Sequence, residues 1–427
     1  MLERKRKLDC ANGREKADLV LKNGNVLNVF TEEVLKADVA ICGDTIVGVG
    51  EYEGKEEIDC TGKYLVPGFI DAHMHIESCM AAPGELAKVL AKAGTTTIIA
   101  DPHEIVNVSG TKGMDYFLKC AAKLLVNVFF MVPSAVPATD VETNGCGEFL
   151  ASDMMKYVDN ARVLGLGETM RFMECCEGEK RMADKLELFA KKHIDGHAPG
   201  IRGKEVQAYR LAGVENDHEC STAEEVLDKL RAGLHIYVRE GSGAKNLETL
   251  IKTMLDAGVC LDRCAFCTDD KHVEEIRKEG HISTCIRKAI ALGVPVAKAY
   301  KMGSYQAAEF YGLKNYGAIG AGYRADIVFL DDLEQVRPLD VMKDGRILTE
   351  EDYAKDYSVP VPDELLHTVH VGEVTKEKIR LSCDGKTDVI QMNPHQIVTT
   401  HLVEEVPAEN GYFKPDGVYN KICVVER

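Results

Sequence analysis

No stretch of this chain reaches the ~18 consecutive apolar residues of a membrane span. The basic start, Met1 to Lys7, is not followed by the apolar segment of a secretory leader, so no export signal is read. Positive charge is scarce. There are 52 Lys and Arg against 69 Asp and Glu, a formal net charge of −17. A surface of that sign repels phosphate backbones, and nucleic acid is excluded as a general partner. The 15 cysteines show no disulfide-framework spacing. They read as reduced thiols and point to a cytoplasmic setting. In that setting Asn107-Val108-Ser109, a formal glycosylation acceptor, carries no meaning. There is no low-complexity linker, and no internal repeat beyond an alternation of strand and helix.

What is present is an ordinary globular balance over 427 residues, 45% hydrophobic and 28% charged. Residues 17–60 read as short strands. Ala17–Gly24 is expected to end in an Asn-Gly turn, and Val39–Asp44 with Thr45–Val49 to form a hairpin. From residue 68 the pattern becomes strand then helix, repeated. The strands expected are Phe69–His73, Thr95–Asp101, Val126–Val132, Val163–Glu168, Ile194–His197, Val214–His218, His235–Glu240 and Cys264–Asp269. Helices are expected at Pro83–Ala93, Ala223–Ala232 and Asn246–Ala257, each closed by a glycine. Eight such units, about 28 residues apart, fit a (β/α)8 barrel of the TIM type over 67–313. An open doubly wound sheet is the alternative. Strands return from Gly317 onward, so 1–66 and 314–369 are expected to share one small β domain. Residues 370–427 are expected to begin a partial β-rich C-terminal region, with Val418–Val425 as an unpaired strand.

The chemistry starts at Pro67-Gly68-Phe69-Ile70-Asp71-Ala72-His73-Met74-His75. Alternate residues of a strand share a face, so His73 and His75 project together and can bind one divalent ion. All strands of a parallel barrel point one way, and their C-terminal ends share one mouth. Glu168, His197, His218 and Asp269 each end a strand there. Taken singly, each has a bland reading as a turn histidine, a helix cap or a solvated carboxylate. Together, four histidines and two carboxylates suit two divalent ions, with Glu168 placed to bridge them. Such ions activate water at neutral pH, and Asp269 can take its proton. His103-Glu104 and Arg239-Glu240-Gly241-Ser242 fall at the same mouth and could touch substrate. His235 begins its strand at the far end and reads as structural. Cys264-x-x-Cys267 lacks a second pair and reads as buried thiols rather than a zinc ribbon.

These residues resemble the amidohydrolase superfamily and, within it, the adenine deaminase family. The segments that carry the resemblance are Val66 to Ser78, Asp101 to Ile105, Gly165 to Glu168, Asp195 to Gly200, Asp217 to Glu219, Arg239 to Ser242 and Phe266 to Asp270. The resemblance implies hydrolysis of adenine, as the small-molecule substrate, to hypoxanthine and ammonia. It implies two divalent ions, Mn²⁺ or Fe²⁺ before Zn²⁺, held by His73, His75, His197, His218, Asp269 and a bridging Glu168. Asp269 would relay protons. Glu240 would contact the purine edge and assist ring protonation, and His103 would orient the substrate. A homo-oligomer is expected. Another amidohydrolase activity on the same site, cyclic amide hydrolysis or amino-sugar deacetylation, is the alternative, and so is a truncated remnant of low activity. Members of the family continue past the point corresponding to Arg427 with a region holding a His-Asp-Ser-His segment. Turnover below that of longer relatives is therefore expected.

Overall fold

The computed structural model describes residues 2–424 apart from 143–144, 384, 395 and 397. It opens with a helix, Leu2–Ala11, that the sequence reading missed. Leu2 and Leu8 are exposed, so no apolar stripe announces this helix. Buried Cys10 and the hydrogen bond from the Tyr52 hydroxyl to the Ala11 carbonyl (3.1 Å) anchor it.

Five strands follow: β1 (Ala17–Asn28), β2 (Glu33–Cys42), β3 (Thr45–Gly50), β4 (Gly54–Asp59) and β5 (Tyr64–Pro67). The expected hairpin of β2 and β3 forms. The expected turn at Asn23-Gly24 does not. β1 runs straight through, and Lys22 with Asn23 forms a bulge opposite Asp38, with Asn23 at φ 60°. The Asp38 carboxylate fixes the bulge by accepting from the Asn23 N–H (2.9 Å) and from Lys22 (2.5 Å).

The next eight strands are parallel: β6 (Phe69–Met74), β7 (Thr95–Ala100), β8 (Asn127–Val132), β9 (Val163–Thr169), β10 (His193–Gly196), β11 (Asn216–Asp217), β12 (His235–Arg239) and β13 (Cys264–Cys267). β6 to β10 pair in sequence, and so do β11 to β13. Hydrogen bonds join the two runs into a ring. Between β10 and β11 the Glu215 N–H reaches the Ile194 carbonyl (3.0 Å). Between β13 and β6 the Asp269 N–H reaches the His73 carbonyl (3.0 Å) and the His75 N–H the Asp269 carbonyl (3.2 Å). An open doubly wound sheet has free edges and no such closure. Apolar runs fill these strands because both faces are covered, by helices outside and by packed side chains within. Ile70, Ala72, Ile99, Met131, Tyr237, Ala265 and Cys267 pack inside with Tyr311. The Tyr311 hydroxyl donates to Asp195 (2.7 Å) and lies 3.2 Å from the Ala72 carbonyl.

The surrounding helices follow their sequence signals. Pro83 starts Pro83–Lys92, and Gly94 follows its end. Thr222 and Glu225 form a capping box on Ala223–Arg231. After the ring come β14 (Ile327–Leu330), β15 (Asp340–Lys343) and β16 (Arg346–Ile347). They join β1 to β5 in one sheet, because β14 pairs with β5. The Asp344-Gly345 turn between β15 and β16 takes the left-handed conformation at both residues, which suits a two-residue hairpin. Beyond residue 370 lie two small hairpins, Lys386–Gln391 with Thr400–Glu405 and Ala408–Glu409 with Tyr412–Phe413. Residues 418–424 form no strand, contrary to expectation, and Val425 lies outside the described residues.

Removing the Tyr311 hydroxyl leaves Asp195 short of a buried donor. Tyr311→Phe is expected to cost about 1–3 kcal/mol of unfolding free energy in urea titration. An unchanged midpoint would show that this hydroxyl does not secure the ring.

Candidate metal centre

The ring seam delivers the ligands. His73 and His75 sit at the end of β6 and Asp269 just beyond β13, and their backbones make the closing hydrogen bonds. Asp269 has φ 56°, a left-handed conformation uncommon for a non-glycine residue and often found at functional sites. Asp71 sits beneath. Its Oδ1 accepts from the His73 N–H (3.1 Å) and the Thr268 N–H (3.2 Å), tying the two sides of the seam together. Its Oδ2 accepts from the Thr268 hydroxyl (2.6 Å). That hydroxyl then accepts from His281 Nε2 (3.1 Å), whose Nδ1 meets the Thr95 hydroxyl (2.9 Å).

The imidazoles and carboxylates converge. His73 Nε2 and His75 Nε2 are 3.2 Å apart. His75 Nε2 lies 3.1 Å from Asp269 Oδ1 and 3.2 Å from Glu168 Oε1. His218 Nε2 is 3.4 Å from Glu168 Oε2, and His197 Nδ1 touches the same oxygen. His103 Nδ1 is 3.0 Å from Glu168 Oε1. Five triads here bring their ligand atoms within 4.8 Å, among them His73–His75–Asp269 and His73–Glu168–His218. His75 Nδ1 contacts the Asp101 carbonyl (2.8 Å), which can only accept. That contact places a proton on Nδ1 and makes Nε2 the nitrogen that faces the cluster.

Several atoms at the centre are buried and lack hydrogen-bond partners: Glu168 Oε1, both nitrogens of His218, His103 Nδ1 and Glu219 Oε2. Orphaned lone pairs of this kind are costly unless something else fills the space between them. The charge balance agrees. Burial opposes ionisation of Glu168, but His197, His103 and His218 outweigh it and hold its carboxyl well below the usual range. Burial likewise opposes charge on Asp269, and His75 and Arg239 overcome it. Burial resists a proton on His75 and His218, yet nearby carboxylates raise both well above the ordinary histidine value. His73, buried beside His218, is held neutral. A pocket that draws protons onto buried imidazoles favours positive charge, and its oxygen and imidazole donors suit divalent ions. The residues present fit a divalent-metal site.

All six expected ligands meet at this place, and so does His103. Glu240 does not. Its carboxylate pairs with Lys288 (2.6 Å) on the helix Ile282–Ala291. Strand alternation explains this, since consecutive residues face opposite ways. Arg239 is the one that enters, completely buried, with Nη1 2.8 Å from Asp269 Oδ2 and against Glu219. The sequence places Arg239 only within a segment that could touch substrate, and gives Glu219 no role. Glu219 Oε1 lies 3.2 Å from His218 Nε2, and Arg239 with His197 holds its carboxyl down at about 2 against the opposing effect of burial. Asp101 was also missed. Its Oδ2 accepts from the Glu168 N–H (2.9 Å). That approach needs Gly167, since a Cβ there would lie 2.1 Å from Asp101 Oδ2. Cys264 and Cys267 are buried free thiols in β13. His235 packs against the tilted ring of Phe310 at the far end, and burial lowers its pKa to about 4.

Residues 64–348 match the family model described as the amidohydrolase family. A protein of Desulfitobacterium hafniense named adenine deaminase is 47% identical over 416 residues, which cover 97% of this chain and 73% of that protein. One of Clostridium acetobutylicum, also named adenine deaminase, is 43% identical over 99% of this chain and 75% of its own length. A crystal structure of an adenine deaminase superposes with a TM-score of 0.59 at 19% identity, covering 78% of this chain and all of that one.

Under Glu168 lies a buried lysine whose state is testable. Lys185 donates to the Ser134 carbonyl (2.6 Å), and the Ser134 hydroxyl donates to the Glu168 carbonyl (2.6 Å). Burial, with Arg181 and Arg171 nearby, lowers the Lys185 pKa to about 8. Between pH 8 and the unfolded value near 10.5 the unfolded chain holds a proton that the folded chain has released, so folding gains stability as pH rises through this window. The unfolding free energy of the wild type minus that of Lys185→Met should climb from pH 8 to 10.5. A flat difference would rule out the depressed lysine.

Proposed function

The chain belongs to the amidohydrolase family, and we propose that its site carries out the hydrolytic deamination of adenine to hypoxanthine and ammonia. The observation that carries this reading is the convergence of His73, His75, Glu168, His197, His218 and Asp269 at one seam, in a chain so similar to proteins named adenine deaminase. Those six residues would hold two divalent ions, with Glu168 between them, Mn²⁺ or Fe²⁺ before Zn²⁺. Such ions supply Lewis acidity and a strong nucleophile from water at neutral pH.

The protein's own residues do the rest. Water adds through oxygen at C6 of adenine. The C6–N1 double bond becomes single as one water proton ends on N1, and the other passes to Asp269 and on to the exocyclic amine. The C6–N bond then breaks and ammonia departs. Arg239 keeps Asp269 ionised before the proton arrives and fixes its orientation. Asn246, accepting from Arg239 Nη2 (3.1 Å), steadies the guanidinium in turn. Asp101 and Gly167 set the backbone of Glu168. His103 and Glu104 are the more exposed members of the cluster, and we assign them substrate contact in place of Glu240. The 15 free cysteines support a reducing, cytoplasmic setting, and no helix among the described residues is long and apolar enough to cross a membrane. A homo-oligomer remains part of the reading, to be checked by light scattering.

The first test is a substrate panel of adenine, adenosine, guanine, cytosine and hydantoin, with added Mn²⁺, Fe²⁺ or Zn²⁺. Ammonia release from adenine above all others is expected. Hydantoin opening without ammonia would favour a cyclic amide hydrolase. Elemental analysis should find about two divalent ions per chain in protein purified without chelator. Asp269→Asn should abolish turnover, because an amide cannot accept the proton, while Cys267→Ala should leave it nearly intact. Near-normal activity in Asp269→Asn would move the proton relay to His103.

A further inference from the structure

A cavity of 1080 Å³ lies beside the ring, lined by the helix Pro83–Lys92 and the helix Ile282–Ala291. Gly280 and Thr284 line it, and the intervening His281 bonds Thr95, the first residue of β7. In a chain of net charge −17 its lining is unusual. Lys88, Lys92, Arg277, Arg287, Lys288 and Arg337 face it, against the acidic Glu85 and Glu279.

Lys88 pairs with Glu85 (2.7 Å), Lys92 with Glu350 (3.5 Å) and Lys288 with Glu240 (2.6 Å), but the three arginines are uncompensated. Among the described residues, Arg277 and Arg337 have no carboxylate within ion-pair distance. Arg287 donates only to neutral oxygens: the Glu279 carbonyl (2.8 Å), the Thr284 hydroxyl (3.2 Å) and the Gln335 carbonyl (3.4 Å). Half-buried, it also sits close enough to Arg337 that burial and this like charge together lower its pKa. Two arginines held together without a carboxylate are stabilised by an anion, and guanidinium forks suit phosphate oxygens. The helix Ile282–Ala291 starts at this wall with no side-chain cap, since the ring of His281 is turned into the core. Its N-terminal dipole adds attraction for negative charge. Tyr353, beneath the Lys92 ammonium (4.4 Å), offers a ring face at the edge of the cavity.

We propose that this cavity binds a multiply charged, phosphate-bearing small molecule of nucleoside diphosphate or triphosphate size. The volume is at the upper end of small-molecule sites, about 300–1,000 Å³. The three unpaired guanidiniums carry more charge than a single phosphate, about −2, offsets. The polyphosphate lies along Arg277, Arg287 and Arg337, and Tyr353 is left to stack on a base. The proposal does not depend on the adenine reading, since none of these side chains belongs to the metal centre.

Calorimetric titration of the metal-loaded protein tests it. The probes are ATP, GDP, pyrophosphate and inorganic phosphate, with metal content measured before and after so that chelation is not mistaken for binding. The expected result is about one site per chain, with pyrophosphate bound more tightly than phosphate. Arg287→Gln/Arg337→Gln should weaken binding about tenfold or more and flatten its salt dependence. Arg337 is exposed, so Arg337→Gln alone is a variant that folds, and it should weaken binding with adenine turnover and metal content unchanged. Tighter binding of ATP or GDP than of pyrophosphate would identify a nucleotide, and equal binding would identify inorganic polyphosphate. No heat with any probe at millimolar concentration, or binding untouched by Arg337→Gln, would overturn the site. It would equally be overturned if the double variant changed the molar mass in solution while pyrophosphate did not, because the cavity would then hold an acidic surface of a second copy.

Discussion

Everything at the mouth depends on burying two carboxylates, Glu168 and Asp269, among four imidazoles and away from water. Taking such charges out of solvent costs several kcal/mol each unless positive charge lies close by. Arg239 answers only one oxygen of Asp269. The remaining demand falls on protons at His75, His197 and His218, which burial opposes. The pocket is therefore built around a cation deficit, and ordering its lone pairs costs energy that the rest of the ring must supply. This accounts for the supports under the ligands. Asp71 grips both backbones at the seam, Asp101 holds the Glu168 N–H, and Ser134 with Lys185 holds the Glu168 carbonyl.

Parallel topology is what lets so few residues do this. Ligands separated by nearly 200 residues in sequence end on neighbouring strands. Between β13 and β6 the closing hydrogen bonds belong to His73, His75 and Asp269 themselves. Ring closure and assembly of the site are thus one event. A chain with the seam open would also have its ligands apart.

Much of this was legible from residue spacing. The eight strands could be placed because apolar runs bounded by glycines recur regularly, and the candidate ligands could be brought to one mouth because each ends one of those runs. What could not be read was side-chain direction at the strand ends. Arg239 and Glu240 are adjacent and both polar, and only the register of β12 decides that Arg239 enters while Glu240 meets Lys288. Asp101 carries no local mark of its role, because its partner Glu168 is 67 residues away. Asn23-Gly24 has the composition of a turn, but pairing along the whole of β2 outweighs that local preference, and the strand bulges at Lys22-Asn23 instead. The first helix escaped because its surface is mostly charged and exposed, leaving no periodicity to detect.

The conformation of Asp269 shows how the fold sets its chemistry. Left-handed backbone costs of order 1 kcal/mol or more for a non-glycine residue. It persists because the Asp269 N–H and carbonyl are both bonded across the seam, to His73 and His75. That constraint turns the carboxylate away from the run of β13, with Oδ1 toward His75 and Oδ2 toward Arg239. One oxygen faces the ligands while the other is held by a guanidinium that cannot give up its proton at ordinary pH. In the proposed reaction the free oxygen would accept a proton only transiently, because His75 and Arg239 favour the ionised form. A group that takes a proton briefly and releases it again serves as a carrier between two reacting atoms, not as a store. The backbone that closes the ring thus also sets how long the proton stays.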